Sequence, residues 1–228
     1  MVYVSIITFT LDTICPWTYI AYLRLSHALA TYRETNPSSP TTFILRIAPY
    51  QLYPDFSPAG KSKYEWHLTE KYHGDTDRMD KYMAYMSALG LDEGIALNFK
   101  KGVTANTLHA HRVLHILQEE YSPSHALLAL ESLYQQYFAL GAHPSSPSTL
   151  LTACDAAGLG AEDARAMVED EDRGMKGVQM AIREQTGNAV DSVPYVVFEG
   201  RRRDFTEVGA KTVDEYRKVL GQVEKEAS

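Results

Sequence analysis

Strand-forming sequence occurs near the two ends of this chain, and this distribution limits the folds open to it. Residues 3–10 are rich in β-branched and aromatic side chains and predict a buried strand, and residues 42–48 predict a second one. Between them, residues 17–32 place apolar side chains at helical spacing, with Pro16 suited to the first turn. Because one short helical connection joins the two strands, we expect them to pair in parallel as a right-handed βαβ unit.

The long central stretch favours helices over strands. Its apolar side chains recur at helical spacing in successive runs. These runs predict helices around residues 82–89, 108–117, 127–140 and 150–157, and one continuous helix over 161–185 that ends at Gly187. We therefore expect a large helical insertion with little sheet.

The C-terminal segment returns to β structure. Residues 194–198 predict a strand, Glu199-Gly200 a turn, 202–206 the hairpin partner and 213–223 a closing helix. The complete order, βαβ, helical insertion, ββα, indicates the α/β class. We divide it into an N-terminal βαβ part over residues 1–54, a helical insertion over 55–188 and a C-terminal ββα part over 189–228.

Composition and charge exclude several classes of function. The 228 residues are 45% hydrophobic and 22% charged, which is typical of a folded globular protein. With 22 Lys and Arg against 29 Asp and Glu, the net charge is −7, and we expect no nucleic-acid partner because such binding depends on neutralising phosphates. No run approaches the roughly 18 apolar residues of a membrane span, and the N-terminus lacks the basic segment of a secretory signal. We therefore expect a soluble, cytoplasmic protein with no membrane partner.

The two cysteines have different surroundings in the sequence. Two are too few for a disulfide framework or a four-cysteine zinc site, and a reducing cytosol disfavours a bridge between them. Cys154 lies in an apolar helix and is predicted to be a small buried side chain. Cys15 follows the first strand at the start of a helix, where unpaired N–H groups and the helix dipole favour a thiolate. We therefore predict a functional thiol at Cys15.

Two other polar groupings predict no site. His111 and His115 are four residues apart on one helix, but Glu119 would lie about 12 Å along the axis from His111, too far to share an ion. We therefore expect no metal. Residues 201–203, three consecutive arginines, fall in the predicted hairpin and indicate a solvated surface.

Three segments, in chain order, resemble the DsbA-like family of the thioredoxin fold. They are Asp-Thr-Ile-Cys-Pro-Trp-Thr at 12–18, Asn-Thr-Leu-His-Ala-His-Arg at 106–112, and Ser-Val-Pro-Tyr-Val-Val-Phe at 192–198, followed by Val-Gly-Ala at 208–210. More narrowly, the chain resembles the FrnE-like branch, which is related to 2-hydroxychromene-2-carboxylate isomerases and kappa-class glutathione transferases. The resemblance implies a thioredoxin fold with a large helical insertion.

The resemblance also implies a set of site residues. Cys15 is the expected nucleophile, and Thr18 would position or stabilise its thiolate. Val193 and a cis Pro194 would present backbone groups to the ligand. The expected substrate- or cosubstrate-binding residues are Pro16, Trp17, Val193, Pro194, Asn106, Arg112, Gly209 and Ala210.

One departure from the family pattern separates the functions that remain open. Thr18 stands where a dithiol enzyme has the second cysteine that releases a mixed disulfide, so a general disulfide oxidase is disfavoured. The favoured function is a monothiol enzyme on a small hydrophobic or electrophilic metabolite, of the glutathione- or Cys-dependent isomerase or transferase type. A thiol–disulfide oxidoreductase working through mixed disulfides and a non-catalytic ligand-binding protein are the alternatives.

Cofactor and partner expectations follow from the favoured function. Glutathione is the candidate cosubstrate and a small molecule the expected substrate, and a homodimer stays open. Kappa-class proteins carry Gly-Ser-Asp before the last helix, where serine and aspartate hold the γ-glutamyl end. Here the matching residues are Gly209, Ala210 and Lys211. Lys211 cannot pair with the γ-glutamyl ammonium, but it can meet the neighbouring carboxylate.

Overall fold

The computed structural model describes residues 2–227 and divides them into two compact units. The sheet unit contains the chain up to Tyr50 and again from Ala181 onward, and the helical unit is Gln51–Met180. The sequence placed these boundaries a few residues later, after residues 54 and 188. The second observed boundary falls inside a helix.

Six strands and nine helices are present within residues 2–227. The strands are β1 (Tyr3–Leu11), β2 (Thr41–Pro49), β3 (Lys61–Ser62), β4 (Val103–Thr104), β5 (Tyr195–Phe198) and β6 (Phe205–Val208). The helices are α1 (Pro16–Thr35), α2 (Lys63–Trp66), α3 (Thr76–Asp92), α4 (Leu108–Ile116), α5 (Pro123–Gln135), α6 (Pro147–Ala156), α7 (Ala161–Glu169), α8 (Met175–Gly187) and α9 (Val213–Ala227). Single π-helical turns extend α2, α4 and α5, over His67–Lys71, Leu117–Tyr121 and Gln136–Leu140.

The sheet unit is built on a mixed four-stranded sheet in the order β2-β1-β5-β6. β1 pairs in parallel with β2, which confirms the predicted βαβ pairing, and antiparallel with β5, which in turn pairs with β6. Alternate residues of β1 point to opposite faces. Phe9 lies 6.3 Å from Tyr22 of α1, and Phe198 lies 6.3 Å from Tyr216 of α9, centroid to centroid. The helices α1 and α9 therefore cover one face of the sheet.

The predicted continuous helix over 161–185 is wrong: two helices, α7 and α8, occupy this stretch. The break ends at Gly174, whose φ of 73° is left-handed. A Cβ at this position would lie 2.6 Å from Cγ1 of Ile116, so the chain passes too close to α4 for any other residue. The break thus depends on tertiary packing, which helical spacing alone does not reveal.

Two strand predictions also need correction. β3 and β4 form a two-residue antiparallel ladder inside the stretch predicted to be helical. The hairpin partner of β5 lies at 205–208 and not at 202–206, because the connecting loop is longer than a two-residue turn. Glu226 of α9 holds this loop by accepting from the Arg202 backbone N–H and pairing with Arg203.

None of the helices described between residues 2 and 227 has the length and apolarity needed to cross a membrane.

Candidate active site

A short turn after β1 places Cys15 at the start of α1. The Cys15 N–H donates to the Asp12 carbonyl oxygen at 3.1 Å, and the Cys15 carbonyl accepts from the Tyr19 N–H at 3.3 Å. Cys15 is the N-cap residue, in extended conformation, and Pro16 is the first helical residue. This arrangement needs no amide hydrogen from Pro16, because the first helical N–H groups have no partner in the helix.

The Cys15 thiol is buried and neutral in this arrangement. Its side chain is only 5% exposed, and Sγ lies 3.9 Å from the Val193 carbonyl oxygen, to which the thiol donates. The pKa of the thiol is raised to about 11, mainly by burial and to a smaller extent by the Asp12 charge. Hydrogen bonds from the Thr18 and Trp17 N–H groups and from the Thr18 side chain lower it without reversing the shift. The pKa shift is therefore opposite to the one expected, because desolvation exceeds the effect of the helix terminus.

Thr18 is fully buried, and its hydroxyl serves the backbone of the turn. Oγ1 lies 2.8 Å from the Asp12 carbonyl oxygen and 2.8 Å from the Cys15 carbonyl oxygen. One hydroxyl hydrogen can satisfy only one acceptor at a time, so these carbonyls compete with the Cys15 sulfur for it. Thr18 thus stabilises the turn, and its hydroxyl can donate to a Cys15 thiolate only when it releases these carbonyl oxygens.

The segment facing Cys15 has the backbone that the resemblance implied. The Val193–Pro194 peptide bond is cis. The Pro194 carbonyl accepts from the Gly209 N–H at 2.9 Å, and Gly209 has a left-handed φ of 83°. The structure therefore brings Cys15 next to Val193, and Pro194 next to Gly209, within the sheet unit. Ala210 is half-buried beside Gly209.

Lys211 has a partner that the sequence did not indicate. Its ammonium lies 3.4 Å from the Glu207 carboxylate, and both side chains are partly exposed. The Arg24 guanidinium lies 3.5 Å from the Lys211 carbonyl oxygen. The end of β6 and the turn before α9 thus carry one negative and one positive side chain, with Arg24 of α1 beside them. The sequence could have indicated Glu207 as a partner of Lys211 only if the end of β6 were known, because the chain turns between these two residues.

Thr13 is a second residue of the turn that the sequence did not single out. Its hydroxyl oxygen is buried and has no hydrogen-bond partner in the described part of the chain. In the sequence, only its position two residues before Cys15 indicated that Thr13 lies near the thiol.

The two other predicted binding residues belong to the helical unit. The Asn106 side chain donates to the Pro54 carbonyl at 2.6 Å and accepts from the Leu108 N–H at 2.8 Å. It also accepts from the Gln51 side-chain amide at 3.0 Å. These contacts tie the start of α4 to the segment that follows β2, which accounts for an asparagine here without a ligand.

Arg112 is fully buried and surrounded by backbone carbonyls. Its guanidinium donates to Met167 at 2.9 Å, Val168 at 3.2 Å, Asp170 at 2.8 Å and Arg173 at 3.1 Å. It therefore caps the C-terminus of α7 and holds the break before α8. These contacts give Arg112 a structural role, and its predicted part in ligand binding stays a prediction.

Cys154 and the histidines form no second reactive centre among the described residues. Both cysteines are free, and Cys154 is fully buried in α6, where burial outweighs the Arg112 charge and raises the pKa of the thiol to about 11. No group of three His, Cys, Asp or Glu side chains that could hold a metal occurs within residues 2–227.

Comparison with protein families identifies the class of protein. Residues 6–221 match the DSBA-like thioredoxin domain family. Because the match spans almost the whole chain, the chain belongs to this family, and the predicted thioredoxin fold with a helical insertion is confirmed. No curated protein matches it in sequence.

Solved structures extend this result. A probable DsbA oxidoreductase from Streptomyces coelicolor has 22% identity and a TM-score of 0.81, over 98% of this chain and 92% of that one. A 2-hydroxychromene-2-carboxylate isomerase has 12% identity and a TM-score of 0.62, over 96% and 95%. The cytosolic disulfide reductase DsbM from Pseudomonas aeruginosa, solved with GSH, has 14% identity and a TM-score of 0.56, over 95% and 98%. At these identities the likeness shows the shared fold, and the neighbours include both isomerases and disulfide oxidoreductases.

Proposed function

We propose that this protein is a monothiol enzyme that acts on a small hydrophobic or electrophilic metabolite by thiol-dependent isomerisation or transfer. The observation that carries the proposal is the pairing of Cys15 with the Val193 carbonyl, while Thr18 takes the place of a second thiol. Without that second thiol, a mixed disulfide on Cys15 has no neighbouring group to release it. Reversible addition and elimination need only one thiol.

The raised pKa of Cys15 favours glutathione as the reacting thiol. A neutral Cys15 S–H can turn its one hydrogen from the Val193 carbonyl to a bound sulfur, and the first N–H groups of α1 are donors as well. Together these donors favour a bound thiolate over a bound thiol. In this form of the proposal Cys15 holds the cosubstrate sulfur and does not itself attack.

The reaction balances without an oxidant or a reductant. The thiolate adds to the β-carbon of an activated alkene, and the alkene electron pair moves to the α-carbon and its carbonyl as an enolate. The former double bond can then rotate. When the enolate expels the thiolate, the double bond forms again in the other geometry, and the thiolate is regenerated. Protonation of the enolate instead gives the transferase product.

The Glu207–Lys211 pair supports glutathione as the cosubstrate. The γ-glutamyl end of glutathione carries an ammonium and a carboxylate on one carbon. Glu207 offers a carboxylate to the first and Lys211 an ammonium to the second, and the two lie 3.4 Å apart. Lys211 is two residues beyond Gly209, whose N–H binds the Pro194 carbonyl.

A thiol–disulfide oxidoreductase is the second candidate function. Two structural neighbours are described as a DsbA oxidoreductase and a disulfide reductase. In that function Cys15 would attack a mixed disulfide between glutathione and a substrate and release the substrate thiol. A second glutathione would then free Cys15 and leave as oxidised glutathione. A protein that only binds a ligand is the third outcome of the test below.

The test is calorimetric titration of reduced glutathione into the Cys15→Ser protein, which excludes mixed disulfides. We expect a dissociation constant from micromolar to low millimolar, and about a tenfold weaker one in Lys211→Met. Lys176→Met, a change in the helical unit, is the matched control and should bind as Cys15→Ser does. Absence of binding would overturn the cosubstrate form of the proposal.

Two further readouts separate the three functions. Reduced glutathione with the wild-type protein should accelerate the cis–trans isomerisation of a maleate monoester, followed by NMR. Rapid exchange of the wild-type protein with oxidised glutathione, which forms a Cys15–glutathione mixed disulfide, releases one reduced glutathione and is lost in Cys15→Ser, would favour the oxidoreductase instead. Glutathione binding with neither reaction would favour a ligand-binding protein.

A further inference from the structure

Three segments of the sheet unit meet at the sheet edge that carries Cys15. β1 and β2 are parallel, so both end at this edge, and β5 runs antiparallel to β1 and therefore begins there. The turn that holds Cys15 follows β1, Tyr50 follows β2, and Val193 and Pro194 precede β5. Tyr50 is half-buried, and the chemistry proposed at Cys15 gives it no role.

The backbone of Tyr50 is bound to the strand that leads into the Cys15 turn. Pro49 pairs with Leu11 in the β1–β2 ladder, and the Tyr50 N–H donates to the Leu11 carbonyl oxygen at 2.9 Å. Asp12 follows Leu11 and begins the turn, where its carbonyl oxygen accepts from the Cys15 N–H at 3.1 Å. Tyr50 thus lies beside the first residue of this turn.

The side chain of Tyr50 reaches the segment on the other side of the turn. Its hydroxyl donates to the Asp191 carbonyl oxygen at 3.2 Å. Val193, two residues further along the chain, has its carbonyl oxygen 3.9 Å from the Cys15 Sγ. Carbonyl carbons two residues apart are separated by at most about 7 Å. The Tyr50 hydroxyl therefore lies within reach of a small molecule bound at Cys15.

The Tyr50 hydroxyl can change its acceptor at little cost. Hydrogen bonds from O–H groups to oxygen are about 2.5–3.0 Å long, so a contact of 3.2 Å is a weak one. The hydroxyl hydrogen rotates to suit its surroundings. A negatively charged oxygen would accept this hydrogen more strongly than the neutral Asp191 carbonyl does, because hydrogen bonds to charged groups are about twice as strong.

We propose that the Tyr50 hydroxyl stabilises the enolate that forms when a thiolate adds to the substrate. This inference rests on the proposed function. In the adduct four bonds separate the sulfur from the enolate oxygen, a span of about 5 Å. The enolate oxygen bears the negative charge, so a phenol that donates to it stabilises the intermediate more than the neutral substrate. When the thiolate leaves, the hydroxyl returns to the Asp191 carbonyl and keeps its proton.

The test compares two tyrosines that make the same contact at opposite ends of the sheet. Tyr50→Phe removes a 3.2 Å bond from a phenol to the Asp191 carbonyl, and Tyr3→Phe removes a 3.2 Å bond to the Glu199 carbonyl. The assay is glutathione-dependent isomerisation of the maleate monoester, followed by NMR. Loss of one donor to an oxyanion lowers kcat by about 100- to 1,000-fold, so kcat should fall about 100-fold in Tyr50→Phe, with KM changed less than about threefold. Tyr3→Phe should isomerise the ester as fast as wild type does.

Two further measurements separate this role from a structural one. Glutathione binding by calorimetry and thermal unfolding should be the same in Tyr50→Phe and Tyr3→Phe, because a phenyl ring keeps the packing of Tyr50. The inference is overturned if the two variants have the same kcat, or if Tyr50→Phe loses glutathione binding or thermal stability along with kcat. Absence of isomerisation by the wild-type protein would overturn the proposed function and this inference with it, whereas equal kcat in an active wild type and Tyr50→Phe would overturn the inference alone.

Discussion

The two units bury their polar side chains in different ways. In the described part of the sheet unit the buried polar side chains include no cation: they are hydroxyls such as Thr10 and Thr18, the Asp12 carboxylate and the Gln185 amide. In the helical unit two whole cations, Lys63 and Arg112, are fully buried. The Thr18 hydroxyl binds carbonyls three and six residues away. Lys63 and Arg112 instead reach carbonyls between 35 and 74 residues away along the chain.

The helical unit therefore depends on cations that bind carbonyl oxygens instead of carboxylates. The Lys63 ammonium lies 2.8 Å from the Tyr137 carbonyl and 3.7 Å from the centre of the Tyr137 ring. Arg112 binds four carbonyls near the break between α7 and α8. A buried charge costs free energy unless hydrogen bonds satisfy it, and a buried carbonyl costs free energy when its donor is removed. Replacing Lys63 or Arg112 should therefore change the free energy of unfolding more than replacing a matched exposed residue. We therefore expect substitutions of buried cations to lower stability and substitutions of exposed cations to be tolerated.

The largest effect is expected at Arg112. Arg112→Met removes the donor from four carbonyl oxygens, two in the last turn of α7 and two in the break that follows. Because buried carbonyls without donors cost free energy, we expect a loss of about 3–5 kcal/mol in the free energy of unfolding. Arg165→Met on α7 removes an exposed pair with Glu169 and should cost at most about 0.5 kcal/mol. Urea unfolding followed by circular dichroism measures both. Equal losses in the two variants would contradict the structural role of Arg112.

The next effect concerns reactivity in the sheet unit. With the pKa of Cys15 near 11 against 9.0 for an ordinary thiol, the thiolate fraction at neutral pH is about 100-fold lower. In the Cys154→Ser protein, alkylation by iodoacetamide should be about 100-fold slower than for a model thiol and should rise about tenfold per pH unit up to about pH 10.

The same Cys154→Ser protein in denaturant is the control for Cys15 alkylation. Unfolding removes the burial that raises the pKa, so the rate should level off near pH 9 as for a free thiol. A plateau below pH 8 in the folded protein would instead mean that the terminus of α1 outweighs burial, and that Cys15 is itself the nucleophile.

Lys63 links the stability of the helical unit to pH. Burial lowers the pKa of Lys63 from 10.5 to about 7. Between these values the unfolded chain holds a proton that the folded chain has released, so stability should rise with pH, by about 2 kcal/mol from pH 7 to pH 9. The carbonyl and ring contacts of the ammonium act against this shift, which makes the figure an upper value.

The measurement for Lys63 is the change in unfolding free energy with pH. Lys63→Met should abolish the rise, and Lys71→Met, a change at an exposed lysine beside Tyr82, should keep it. An unchanged rise in Lys63→Met would assign the pH dependence to another group.

The sequence predicted the sheet unit well because its determinants are local. β-branched residues marked β1 and β2, and Pro16 marked the start of α1, so the place of Cys15 at a helix N-terminus followed directly. The pKa of Cys15 did not follow, because burial is a property of the folded unit. The same holds for the Glu207–Lys211 pair, which depends on where β6 ends.

The errors in the helical unit have a non-local cause. The break between α7 and α8 depends on Arg112, which is 55 residues from Met167 and 61 from Arg173 along the chain. Arg112 itself lay in a motif that suggested ligand binding, and only its carbonyl partners reveal a structural use. Helical spacing registers apolar positions and is blind to such contacts.

The smallest effect compares the residues that flank α8. Before it, Gly174 needs a left-handed φ and has no space for a Cβ. After it, Ala189 also has a left-handed φ, of 58°, but this residue is exposed and has a Cβ. Strain of about 1–2 kcal/mol in an L-residue is partly offset by the extra entropy of an unfolded glycine, so Ala189→Gly should stabilise by about 0.5 kcal/mol. Gly174→Ala should destabilise by several times more because of Ile116. Thermal unfolding measures both, and a loss of stability in Ala189→Gly would mean that the Ala189 methyl makes a contact worth more than the strain.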